Sequence, residues 1–253
     1  MYINLSGLTA LVTGGSRGIG EAIAMALVES GATVAIHYAT NTNAAESLVE
    51  RLGRGTKAFK ADLSDPKGAE QLFGKVMEYL GGIDILVNNA GIAIESNVEK
   101  DIKSWMDDWG KTMQVNLSSV ALLSKLAIDH FTKKEKEGRI INVSSRAAYR
   151  GDTVDYMAYA ASKGGVVALT KSIARGYGKK GIKAFTVAPG FTRTDMADDF
   201  IKKYGEEHAT SDLLLSELTL PEDIAPMVVF LAGGMADHAT GQTFHINAGS
   251  YLI

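Results

Sequence analysis

Short apolar runs alternate along this chain with segments of helical periodicity, and that alternation restricts the fold more than any other feature. The runs are Leu8–Thr13, Thr33–Tyr38, Lys57–Ala61, Ile83–Asn88, Gly138–Ser144, Ile182–Ala188 and Gln242–Ile246. Ile85-Leu86-Val87 is unbroken by any polar residue, the pattern of a strand buried on both faces. Between the runs, Ile19–Glu29 carries Ile19, Ile23, Ala26 and Leu27 at helical spacing and stops near Gly31. Asn43–Leu52 is the next helix, and a third has Pro66 in its first turn and ends before Gly81-Gly82. Val98 to about Lys134 reads as long and mostly helical, with one break near Asn116-Leu117-Ser118-Ser119. Asp155–Tyr177 and Pro221–Leu231 follow, the latter opening on proline and holding Pro226, which removes a backbone hydrogen bond. Strands buried on both faces and joined by right-handed helical crossovers make a doubly wound parallel sheet. The expected fold is α/β in three α/β/α layers, with about seven strands, of the Rossmann type.

A chain of 253 residues with no repeat, low-complexity tract or linker reads as one domain over 1–253. Thr192–Ser216 is polar and carries the pairs Asp198-Asp199 and Glu206-Glu207. It lies where such folds hang a substrate lid, at about 192–216, and its charges read as a solvated face rather than a metal site. The net charge of -3 argues against a dedicated nucleic-acid binder. Without cysteine there are no disulfides and no thiolate chemistry. The five histidines have no metal-ligand spacing and read as surface or packing residues, so no metal is expected. No apolar stretch approaches the roughly 20 residues of a membrane span, and Met1–Gly7 has no secretory pattern. The expectation is a cytoplasmic protein.

The first run meets the first helix through Thr13-Gly14-Gly15-Ser16-Arg17-Gly18-Ile19-Gly20. A pyrophosphate needs backbone close by, which glycine permits, and it gains from the N–H groups and dipole of a helix N-terminus. Gly14 suits the tight turn, Gly18 the close backbone and Gly20 helix-to-strand packing. The spacing Gly-x3-Gly-x-Gly departs from the common Gly-x-Gly-x-x-Gly. At the end of the second strand, His37-Tyr38-Ala39-Thr40-Asn41 holds no carboxylate to repel a 2′-phosphate, and Arg17 could pair with one. NADP(H) is therefore favoured over NAD(H).

Tyr159 and Lys163 stand four apart on one helix and share a face. A nearby ammonium is expected to stabilise a phenolate, lowering its pKa from about 10 and fitting it to donate a proton near neutral pH. Ser144-Ser145 ends the fifth run, at the strand edge where open α/β sheets bind ligands.

In that order these pieces resemble the short-chain dehydrogenase/reductase family. Asp62-Leu63, Asn88-Asn89-Ala90-Gly91, Asn116 to Ser119, Gly138 to Ser145, Pro189-Gly190, Pro221 to Ala225 and Thr240-Gly241-Gln242 complete the set across the chain. Within the family, Asn116 to Ser119, Val187 to Phe191 with Thr194-Asp195-Met196, and His245-Ile246-Asn247 are most similar to the 3-oxoacyl-[acyl-carrier-protein] reductases. The resemblance implies a carbonyl reductase in which Tyr159 is the general acid, Lys163 holds the nicotinamide ribose and lowers the Tyr159 pKa, and Ser145 orients the substrate oxygen. It implies that Asn116 supports a proton-relaying water. Cofactor contacts are implied for Gly14, Ser16, Arg17, Gly18, Ile19, Gly20 and Tyr38. Asp62 and Leu63 would border the adenine, Asn89, Ala90 and Gly91 the adenosine side, and Pro189, Gly190, Thr192 and Thr194 the carboxamide. A homotetramer built through the long helices is implied as well.

Ser145 and Tyr159 stand fourteen positions apart, one more than the family's thirteen, and counting thirteen back lands on Arg146, which has no hydroxyl. Ser145 is taken, with the extra residue assigned to Arg150-Gly151-Asp152-Thr153 and Ser144 kept as a second candidate. The substrate is a small carbonyl or alcohol, with a 3-oxoacyl thioester on a carrier protein as one form. Lys133, Lys134, Lys136, Lys179 and Lys180 could meet such a carrier, although lysines at helix ends are ordinarily just solvated. Two other readings stand: an NAD-dependent sugar or polyol dehydrogenase, and a silent nucleotide sensor, which would ordinarily have lost Tyr159 or Lys163. Trp105 and Trp109, four apart on a helix, read as core or subunit contact.

Overall fold

The computed structural model describes residues 3–53, 55–194, 197, 201, 205, 207 and 210–252. Seven strands, β1 (Thr9–Val12), β2 (Thr33–Tyr38), β3 (Lys57–Lys60), β4 (Ile85–Asn88), β5 (Gly138–Val143), β6 (Ile182–Pro189) and β7 (Thr243–Ile246), form one sheet in the order β3-β2-β1-β4-β5-β6-β7. Every pairing is parallel. The order reverses between β1 and β4, the place where doubly wound sheets open a crevice beyond their strand C-termini.

Period-two alternation explains both layers. Val12, Ile36, Val87, Ile141 and Phe185 face one side, against α1 (Gly18–Glu29) and α8 (Pro221–Ala232), whose Ile23, Leu27, Ile224 and Val228 are fully buried. Their strand neighbours Leu11, Ala35, Leu86, Ile140 and Ala184 face the other side. There they meet α3 (Gly68–Leu80), α5 (Ser119–Lys133) and α7 (Met157–Tyr177) through Leu72, Leu123, Phe131 and Ile173. The remaining helices are α2 (Thr42–Leu52), α4 (Ile102–Met113) and the single turn α6 (Ala147–Arg150).

Three local expectations are corrected. Pro66 lies in the turn before α3, not in its first turn; Asp65 shapes that turn by accepting the Lys67 N–H at 2.9 Å and, through its carbonyl, the Gly68 N–H at 2.9 Å. The long helix begins at Ile102 rather than Val98, because the Asp101 side chain caps it by accepting the Ser104 N–H at 3.0 Å. The break expected near Asn116 is a π-helical turn, Gln114–Ser118, joining α4 to α5 without interrupting the axis.

A buried polar chain crosses the second layer. Asn88 Nδ2 donates to Asn142 Oδ1 at 2.8 Å and Ser124 Oγ at 3.2 Å, and Asn142 Nδ2 donates to Thr170 Oγ1 at 2.8 Å. It ties β4 and β5 to α5 and to α7, the helix that carries Tyr159.

Candidate active site

All the strand ends named from sequence emerge at one edge of the sheet. Tyr159 is the third residue of α7 and half-buried, with its hydroxyl hydrogen-bonded to the Ser145 side chain. Ser145 directly follows the buried Ser144, and its Oγ also accepts the Ala147 N–H of α6 at 3.1 Å. Ser144 Oγ points the other way and donates to the Lys163 carbonyl at 2.9 Å, pinning β5 to α7. The spacing between Ser145 and Tyr159 is taken up by α6, by Gly151 at a φ of 77° and by a 3-10 turn over Val154–Tyr156.

Lys163 is 4% exposed. Its Nζ donates to the Val143 carbonyl at 2.9 Å and lies 5.7 Å from the centroid of the Tyr159 ring. The expected lowering of the Tyr159 pKa by Lys163 is not what this geometry produces. Burial pushes the phenol up, the Ser145 hydrogen bond pulls it down, and the charge of Asp152 pushes it up again. The ammonium sits toward the ring face and Val143, and burial lowers its own pKa to about 8.

Asn116 is fully buried in the π-turn. Its Oδ1 accepts the Ile92 N–H at 2.8 Å, while Nδ2 donates to the Ile92 carbonyl at 2.8 Å and to Ser162 Oγ at 3.1 Å. A β-carbon on Gly91 would stand 3.3 Å from Lys163 Nζ and 3.4 Å from Asn116 Oδ1, so these three residues meet.

The turn after β1 has the shape a pyrophosphate requires. Gly14 and Gly18 take φ values of 60° and 52°, and no side chain caps the N-terminus of α1. Gly20 lets the helix rest on the turn, since a β-carbon there would lie 2.1 Å from the Gly14 carbonyl oxygen. Ser16 is buried, Arg17 is exposed, and Ile19 packs on the α1 side of the core. Thr13 braces the turn in a way its sequence position did not announce: its Oγ1 accepts the Asn89 and Ala90 N–H groups at 2.9 and 3.0 Å. The Asn89 side chain is spent on the same brace, donating to the Thr13 and Gly14 carbonyls at 2.9 and 3.0 Å.

Around this centre, Tyr38 and Leu63 are buried. The Asp62 carboxylate is held low by two hydrogen bonds from Ser64, at 2.7 Å from the hydroxyl and 2.8 Å from the N–H. The Pro189 carbonyl accepts the Arg146 N–H at 2.9 Å, and Gly190 packs against Asn247, 2.6 Å from Asn247 Cα if it bore a β-carbon. Thr192 forms a parallel bridge with Thr219, and Thr194 Cγ2 closes over Gly18. Asp195, Met196, Asp198, Asp199, Glu206 and His208 lie outside the described residues, and with them much of the expected lid.

Sequence reasoning missed two charges beside the Ser145–Tyr159 pair. Arg146 has a buried Nη1 with no hydrogen-bond partner among the described residues. Asp152 is pushed up by burial and faces Arg146 and Arg150, and Arg150 itself pairs with Asp212 at 2.7 Å. The irregular spacing after Ser145 was the available signal. Trp105 and Trp109 stack at 5.2 Å. Among the described residues no helix is long and apolar enough to cross a membrane.

Residues 14–251 match a family model described as Enoyl-(Acyl carrier protein) reductase. The 3-oxoacyl-[acyl-carrier-protein] reductase FabG of Vibrio cholerae is 41% identical over 254 residues, covering 99% of this chain and 100% of that protein. Its namesake from Escherichia coli is 38% identical over 255 residues, with the same coverage. A crystal structure of a dehydrogenase/reductase from Sinorhizobium meliloti superposes with a TM-score of 0.88 at 34% identity, over 99% of this chain and 98% of that one.

Proposed function

This chain belongs to the short-chain dehydrogenase/reductase family, nicotinamide-dependent oxidoreductases acting on CH–OH groups, and we propose that it reduces a 3-oxoacyl thioester to the secondary alcohol with NADPH. The observation that carries the reading is the hydrogen-bonded Tyr159–Ser145 pair, one helical turn from buried Lys163, at the sheet edge that also holds the glycine turn. The substrate comes from the relatives, named for 3-oxoacyl groups on an acyl carrier protein.

When bound, the reduced nicotinamide supplies the hydride. Gly14, Ser16, Arg17, Gly18, Ile19 and Gly20 would hold its pyrophosphate and adenosine phosphates, with Tyr38, Asp62, Leu63, Asn89, Ala90 and Gly91 around the adenosine. Pro189, Gly190, Thr192 and Thr194 would border the carboxamide. Ser145 donates to the carbonyl oxygen and orients it. Tyr159 gives its proton to that oxygen as negative charge develops there. Burial works against this transfer by raising the phenol pKa, and the Ser145 hydrogen bond offsets part of that cost. Lys163 would hold the ribose, and Asn116 fixes the backbone at Ile92 beside it. Residues 192–216 form the lid in this proposal, and the cytoplasmic location belongs to it as well.

A second reading, a sugar, polyol or other polar alcohol as substrate, draws on Arg146 and Asp152, charges unsuited to a bare acyl chain. One assay separates the two. Purified protein with NADPH should consume the cofactor with an acetoacetyl thioester, fastest when a carrier protein presents it, and not with an enoyl thioester. Tyr159→Phe should lower turnover by at least about 100-fold. Unchanged turnover in that variant removes Tyr159 from the mechanism. Reduction of NAD+ by polyols, with no NADPH consumed on acyl thioesters, selects the second reading, and cofactor binding without turnover on any carbonyl would mark a silent sensor.

A further inference from the structure

Between the second strand and the glycine turn stands a histidine that the chemistry leaves unused. His37, in β2, is 2% exposed. Its Nδ1 accepts the Gly14 N–H at 3.0 Å, and its Nε2 lies 3.2 Å from the Ala61 carbonyl oxygen. The His37 carbonyl accepts the Gly15 N–H at 2.9 Å, so residue 37 holds two consecutive glycines of the turn.

The partners dictate the state of the ring. A backbone N–H can only donate, so Nδ1 carries no proton; a carbonyl can only accept, so the ring hydrogen is on Nε2. His37 is therefore a neutral bridge between the turn after β1 and the segment after β3, one residue before Asp62. A protonated ring would point a second N–H at Gly14 and open the bridge. Burial disfavours that form and lowers the ring's pKa to about 4, against weaker opposing pulls from the Ala61 hydrogen bond and the Asp62 charge. From β3, Lys57 is drawn instead over the rings of Phe59 and Tyr79, 5.6 and 4.7 Å from their centroids, and Lys60 is exposed.

We propose that His37 is a positioning residue for the dinucleotide: it sets the distance between the phosphate-binding turn and the adenosine-side wall, so that losing the Nδ1 acceptor weakens cofactor binding while leaving turnover at saturation intact. The inference rests on the dinucleotide reading above. It also assigns a role to a residue that lies between the two walls of that site and touches neither substrate nor reacting atoms.

Two near-conservative variants divide the ring's functions. His37→Asn places an acceptor near the Nδ1 position, and His37→Gln places its amide near Nε2. Calorimetric titration of the full chain with NADP+ at pH 7 should show His37→Gln binding about tenfold more weakly, the scale of one buried donor left unmet. His37→Asn should recover most of the affinity. At saturating NADPH both variants should keep kcat within about twofold of the wild type, so the loss falls on KM for the cofactor. In the unaltered chain, nitrogen NMR of labelled histidine should show the Nε2–H tautomer at residue 37, a readout independent of whether any variant folds. Equal affinity in the wild type and His37→Gln, a loss carried by kcat, or a protonated Nδ1 overturns the proposal. If the wild type shows the expected tautomer yet binds neither dinucleotide, the function on which the inference rests is what fails.

Discussion

Ser145 and Lys163 show how much a single side chain's surroundings decide. Two serines follow β5, and the one that donates to the Lys163 carbonyl is a structural pin while its neighbour reaches Tyr159. Lys163 is an ammonium inside the protein with one carbonyl partner. Its pKa of about 8, against an ordinary 10.5, means that between those values the unfolded chain binds more protons than the folded one. Stability therefore rises with pH across that window, and the cost of the buried charge is present in full below about pH 8. The whole window is worth about 3 kcal/mol. Urea midpoints measured at pH 7.5 and pH 10 should rise for the wild type relative to Lys163→Met, in which this contribution is gone. Parallel pH dependence in the two proteins would show that Lys163 is not held as a costly cation.

At the scale of elements, α7 and the segment after β5 carry Tyr159, Lys163 and Ser145, while the turn–helix unit at the N-terminus and the α4–π–α5 run add the glycine turn and Asn116. Glycines inside helices separate positions set by packing from positions that are merely permissive. A β-carbon at Gly20 would collide with the Gly14 carbonyl, whereas one at Gly74, on the exposed side of α3, would meet nothing within 4 Å. Gly20→Ala should destabilise by about 1–3 kcal/mol through overpacking, and it should disturb the turn that Thr13, Asn89 and His37 hold in place. Gly74→Ala should stabilise by about 0.5–1 kcal/mol, since alanine loses less backbone freedom in a helix. Chemical denaturation of both variants tests the contrast, and equal effects would mean that α1 can shift away from the turn. The π-turn is the other device of this kind: its wider loop leaves Asn116 buried with its amide clasping Ile92, beside Lys163 and Gly91.

Across the molecule as a whole, a group of exposed lysines lies away from the site. Lys133, Lys134, Lys179 and Lys180 are exposed where α5 and α7 run back to the starts of β5 and β6. That is the edge of the sheet opposite Tyr159, so within one chain they do not flank the site, and Lys136 is already paired with Asp84 at 2.6 Å. Ile102 and Met106 share a face of α4 at 83% and 52% exposure. We propose that this face is a subunit contact of the homotetramer that the family resemblance implies. Light scattering should give four chains per particle, and Ile102→Lys with Met106→Lys should give smaller particles. A monomeric wild type would overturn that subunit contact.

The layers of this protein were written in local pattern. Adjacent apolar pairs such as Leu11 with Val12 and Leu86 with Val87, in strands that alternate with helices, bury both faces in a parallel sheet sandwiched by helices, and the spacing of Tyr159 and Lys163 puts them one turn apart in any helix. Period and spacing are properties of neighbouring residues, so the sequence carries them without a partner. What the tertiary structure alone decided were contacts between segments distant along the chain. It chose Ser145 over Ser144 to meet Tyr159, turned Lys163 toward Val143, clasped Asn116 to Ile92, and set His37 between Gly14 and Ala61. Burial and orientation at those points come from packing across the sheet edge, and with them come the protonation states on which the chemistry depends.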